Sequence, residues 1–165
     1  DPWDGVNYGT TQNLLCGRPR IHQDREIWVY YNALRFRAPK AILDEKYRKY
    51  DDDGGALNLA TLRLDGFVSL DAQAEGAILT KPFAAGGGAL HVNAVAEGGI
   101  RAEILDAATM QPLPGLSLDR CNAVSGDHLR ARVTWAGQQA LPGERTVRVR
   151  FHLRDAQFYA FWLGR

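Results

Sequence analysis

Two cysteines, four histidines and one methionine in 165 residues leave little material for metal or redox chemistry. His22, His91, His128 and His152 share no metal-ligand spacing, which argues against a zinc site. Cys16 and Cys121 match no CxxC pattern and are too few for a disulfide framework; two buried thiols or one bridge both remain open. Ser69, Ser117 and Ser125 sit in no nucleophile-elbow motif, and Gly86 to Gly88 is not followed by a helix carrying Lys-Ser/Thr, so acyl transfer and phosphate cradling lack their motifs. Charge of one sign is also missing. Twenty basic and 19 acidic residues leave a formal charge of +1, so neither nucleic acid nor a membrane surface is an expected partner on bulk electrostatics. No apolar run approaches the roughly 20 residues that span a bilayer, and no basic-then-apolar leader opens the sequence; a soluble chain is expected. A start at Asp1-Pro2 reads as part of something longer.

What is present is glycine, 17 residues clustered at Gly54-Gly55, Gly86 to Gly88 and Gly98-Gly99, punctuating short apolar runs as in turn-rich all-β chains. From about Phe67 onward, the runs alternate with period two. Leu90, Val92 and Ala94 share one face, and Ile100, Ala102 and Ile104 point inward against Arg101 and Glu103. Leu129, Ala131, Val133 and Trp135 oppose Arg130, Arg132 and Thr134; Val147, Val149, Phe151 and Leu153 oppose Arg148, Arg150 and His152. Gln157 to Leu163 is apolar on both faces, which predicts a central strand. About seven or eight strands along the chain, without a long helix, predict two packed antiparallel sheets, an all-β sandwich of jelly-roll type, with the sandwich domain over 67–165.

Before it, residues 1–66 form a segment of two or three strands with a charged excursion. Asp1 to Arg25 has no clear period and reads as loop with one short strand. Glu26 to Tyr31 fits a strand buried on both faces, and Leu57 to Leu64 a second. Between them, Arg35 to Asp53 is densely charged, with a short helix expected around Ala41 to Tyr50. Excursions of this length are often functional.

Several stretches together resemble a known architecture: LATLRLDGFVSLDA (Leu59 to Ala72), TKPF (Thr80 to Phe83), ALHVNAVAEGGIRAEILDA, PLPGLSLDRC and the closing VRVRFHLRDAQFYAFWL. They resemble the C-terminal β-sandwich that follows a five-bladed propeller in bacterial proteins of the invertase, levanase and arabinanase glycoside hydrolase superfamily. GRPRI (Gly17 to Ile21) and DREIWVYYN (Asp24 to Asn32) then look like the last propeller blade. The family's carboxylate pair lies in earlier blades, so the resemblance carries no catalytic residue onto this chain. It implies a non-catalytic accessory domain, extracellular or periplasmic, supporting an adjoining propeller and making weak contact with carbohydrate. Two alternatives stay open. The chain is part of an active glycosidase and lends Tyr31, Asn32 and Arg35 to one wall of the cleft, or it is a free-standing carbohydrate-binding module.

Hydrolysis needs two carboxylates facing each other about 5 to 10 Å apart, and the acidic residues here are scattered through turns and outward positions. Asp51-Asp52-Asp53, followed by two glycines, loosely matches a calcium loop but lacks the alternate spacing and terminal Glu of an EF-hand; a solvated acidic loop is the simpler reading, and no other cofactor is expected. Aromatic rings are natural platforms for sugars. Trp3 and Tyr8, in an irregular polar stretch, and Tyr47 and Tyr50, in the excursion, are the candidates for exposed rings. Arg148 and Arg150, with His152, Arg154, Arg130 and Arg132, would form a basic patch if their strands share a sheet. Guanidinium forks suit carboxylate and sulfate, so weak, salt-sensitive binding of an acidic glycan is expected there, against the plainer expectation of solvated arginines paired with Glu103, Glu144 or Asp155.

Overall fold

β-branched and aromatic side chains at alternate positions favour a pleated strand because each strand face can then pack as a unit. The structure, a computed structural model, describes residues 12–15, 17–34, 55–138 and 140–164. Nine strands run through them: β1 Gln12–Leu15, β2 Arg20–His22, β3 Glu26–Leu34, β4 Gly55–Arg63, β5 Leu70–Leu79, β6 Phe83–Ala85, β7 Ala89–Asp106, β8 Val124–Val133 and β9 Arg145–Gly164. A single 3-10 turn, Leu118–Arg120, is the one helical element among the described residues, and no helix there is long and apolar enough to cross a membrane. The described residues are all-β and their strands pair antiparallel throughout, as the alternation predicts.

The chain divides into two compact units, Asp1–Leu64 and Asp65–Arg165. In the first, β1 and β2 pair in succession along one edge of β3, and β4 pairs along the other. Both β1 and β2 lie where the sequence predicts loop with one short strand; their three or four residues are too few to display a period. β3 is central, yet its described side chains are half-buried or exposed rather than buried on both faces. Ile21, Leu57 and Leu59 are exposed as well.

The second unit is one five-stranded sheet ordered β5-β9-β7-β8, with β6 following β5 along the same edge of β9. Its two layers come from bending. Phe151 and Phe161 are ten positions apart on β9, roughly 33 Å in a straight strand, but their ring centroids are 5.3 Å apart. Phe151 and Phe158 are at 4.7 Å. β9 folds over where Asp155 takes a φ of 43°, and the register slips at the same level in β7 (Ala96 to Gly99), in β5 (Ala72 to Glu75) and between β7 and β8 (Ala96 to Ile100). Bulges aligned across neighbouring strands crease the sheet, so that its apolar face closes upon itself as a sandwich-like core. Gly98 stands on that crease because a Cβ there would lie 2.6 Å from the Arg154 carbonyl oxygen.

The enclosed core contains Leu90, Val92, Ile100, Ile104, Val133, Trp135, Val147, Val149 and Phe151, the inward positions of the sequence alternation. Trp135 donates its indole N–H to the Ala102 carbonyl (2.9 Å), so its one polar atom is satisfied where it is buried. Beside it lies Cys121, a free, buried thiol whose sulfur accepts the Ala102 N–H at 3.2 Å. Cys16 is outside the described residues. Burial pushes the Cys121 thiol above its ordinary range, against the opposing pull of that N–H and of the Arg101 charge. Since the thiolate is the reactive form, a Cys16→Ser variant should react with a thiol-exchange reagent roughly tenfold or more slowly when native than when unfolded in urea. Equal rates in the two states would place Cys121 at the surface.

Candidate functional site

One face of the β7–β9 pair carries the core; the other carries charge. Because cross-strand partners share a face, the register sets Arg101 opposite His152, Glu103 opposite Arg150 and Leu105 opposite Arg148, while β5 places Ala77 beside His152 and Glu75 beside Arg154. Glu103, at an outward position, is nonetheless only 7% exposed. Its Oε1 accepts from Arg150 Nη1 at 2.8 Å and lies 3.3 Å from His152 Nε2, so two neighbours on β9 close over it. A buried carboxylate is tolerable only with such partners.

Arg148 is built into the sheet. Its Nη1 donates to the Thr80 carbonyl at 3.0 Å, its Nε is enclosed without an acceptor, and Thr80 Oγ1 accepts the Val149 N–H at 2.9 Å. Arg148 and Arg150, the pair suggested by the alternation, are therefore on one strand and face, but each spends a guanidinium N–H inside the protein. Arg130 and Arg132 belong to the same sheet and lie beyond its crease: Arg132 is opposite His91, which pairs with Trp162, and the Arg130 guanidinium sits 5.6 Å from the centre of the Trp162 ring. His91 stacks on that ring at 5.7 Å. The sheet thus holds two basic groups, one on each side of the fold line.

Where the strands crease, an open cavity of about 530 Å³ forms, within the size range of small-ligand sites. Arg101, His152 and Arg154 stand around it with Glu75, and Gly76, Gly98 and Gly99 contribute no side chains to fill it. His152 connects the cavity to the Glu103–Arg150 pair behind it. The alternation exposes each of these residues singly in the sequence; the bulges that gather them leave only the Gly98-Gly99 pair as a trace. A second, more apolar groove of about 550 Å³ runs along Ile78, Lys81, Phe83, Phe161 and Leu163.

Tyr31 and Asn32 are consecutive on β3 and so project to opposite faces of its sheet, Tyr31 level with Asn58 and Asn32 level with Leu57. They do not line one wall together. Trp28 stacks on His22 at 3.8 Å and donates to Glu26, engaging it in its own sheet. Trp3, Tyr8, Arg35, Tyr47, Tyr50 and the Asp51, Asp52, Asp53 run lie outside the described residues. Among the described residues no three His, Cys, Asp or Glu side chains group as metal ligands. No protein-family model matches the chain, and neither curated proteins nor solved structures give a match.

Proposed function

We propose that this chain is a non-catalytic accessory β-sandwich of a glycoside-hydrolase-like protein, which supports an adjoining propeller domain and contacts carbohydrate on the charged face of its second unit. The observation that carries the reading is the state of Glu103. A catalytic acid or base needs a free carboxyl group facing a second one across a substrate. Glu103 is the one buried carboxylate among the described residues, and it is covered by Arg150 and His152. What the face offers a ligand is donors on charged arms around an open cavity, the chemistry of binding.

The resemblance to propeller-linked sandwiches supplies the carbohydrate, and the lack of buried side chains among the described residues of the first unit is consistent with strands that expect further layers. The chain should therefore turn over no aryl glycoside, while retaining glycans on an array. Hydrolysis abolished by a single Asp or Glu substitution within the chain would refute the non-catalytic reading. A blank array, repeated with the chain joined to its propeller, would refute the carbohydrate reading.

A further inference from the structure

The crease that makes the sandwich also makes a site. We infer that the cavity bounded by Arg101, His152 and Arg154 is a receptor for the anionic group of an acidic saccharide, a uronic carboxylate or a sulfate ester; this rests on the carbohydrate reading above and adds the ligand class and the residues.

Three features point there. First, the lining is cationic on balance: two arginines and a histidine against Glu75. Both arginines are exposed, and neither makes an ion pair among the described residues, unlike Arg150. Guanidinium forks match planar carboxylate and tetrahedral sulfate oxygens through paired N–H donors. Second, the arms reach in from two neighbouring strands, Arg101 from β7 and Arg154 from β9, so one anion would be held from two sides. Glu103, itself paired with Arg150, contacts the His152 ring through Nε2 and so holds it in place beside the cavity.

Third, the floor is empty by construction. Gly98 cannot carry a Cβ against the Arg154 backbone, and Gly99 has a φ of 105° that side-chain-bearing residues rarely adopt, so the space is not an accident of small residues. Ala77 and Ala123 supply small apolar surface for the face of a sugar ring, and Glu75 can accept its hydroxyls. An apolar ligand would find little to match the arginines. A nucleic-acid strand would need a basic track, whereas the basic group beside Trp162 is beyond the fold line.

The test uses the whole chain, with glucuronic acid, a sulfated disaccharide and inorganic sulfate as probes, followed by NMR on the arginine Nε–H and histidine ring signals. Saturable shifts at Arg101, Arg154 and His152 are expected with all three probes, weakening as NaCl is raised. Arg101→Ala with Arg154→Ala should weaken saccharide binding roughly tenfold or more. Ala77→Phe, which fills the cavity and leaves both charges in place, should do the same. These positions are exposed, and unchanged amide spectra elsewhere would verify the fold of each variant. Acidic saccharides bound equally well by both variants would overturn the cavity and leave the carbohydrate reading standing. Sulfate shifting these signals while no saccharide binds anywhere would overturn the carbohydrate reading and the saccharide assignment together. No shift at the three residues with any probe would overturn the site itself.

Discussion

Phe151→Ala and Trp135→Ala are each expected to destabilise the second unit by about 3–5 kcal/mol, the range for removing a large ring from a packed core. Phe151 is fully buried and sits between the two layers, touching Phe158 and Phe161 from the far half of its own strand. Its removal opens a hole at the contact that keeps β9 folded over, and little can collapse into it because the neighbouring positions belong to a hydrogen-bonded sheet. Trp135 is 2% exposed, and its loss would also leave the Ala102 carbonyl without its side-chain donor. Urea unfolding monitored by far-UV circular dichroism measures both effects. Losses below about 1 kcal/mol would put the rings at the surface and invert the strand faces.

The alternation made these faces legible from the sequence because period two survives wherever a strand is straight. Val147, Val149, Phe151 and Leu153 are all inward, as their spacing predicts. It fails at bulges, since one extra residue reverses the phase. Beyond Asp155 the buried positions of β9 become Ala156 and Phe158, and after the slip opposite Asn93 and Ala94 the residues packed on the core are Phe161 and Leu163. The run from Gln157 to Leu163 looks apolar on both faces partly because its phase shifts inside it. Trp162 does face outward, against His91.

Glu103 was hidden for a different reason. Its position predicts exposure, and only the cross-strand register, which brings Arg150 opposite it and His152 beside it, accounts for its burial. The cavity combines both difficulties. Its charged residues come from three strands, and their meeting depends on aligned bulges that no local pattern encodes.

Amides of Val147 to Leu153 are expected to exchange with solvent at least about a hundredfold more slowly than those of Ile27 to Tyr31, because exchange reports the free energy of the smallest opening that frees each amide. Both segments lie in central strands: β9 pairs with β5 and β6 on one side and β7 on the other, while β3 pairs with β1 and β2 on one side and β4 on the other. They differ in what covers them. In β9, Val147, Val149 and Phe151 are fully buried, so freeing their amides requires the folded-over sheet to open as a whole. In the first unit no described side chain is buried, and Leu57 and Ile21 keep about two-thirds of their surface in water, at 66% and 64%. Strands whose described side chains are this open to water have little packing to resist local opening. Joining the chain to a propeller that covers this sheet should raise protection in Ile27 to Tyr31 and leave Val147 to Leu153 nearly unchanged. Equal protection of the two segments in the chain alone would mean that residues 1–64 are a stable layer in their own right, and the expectation of a blade waiting for its neighbours would be wrong.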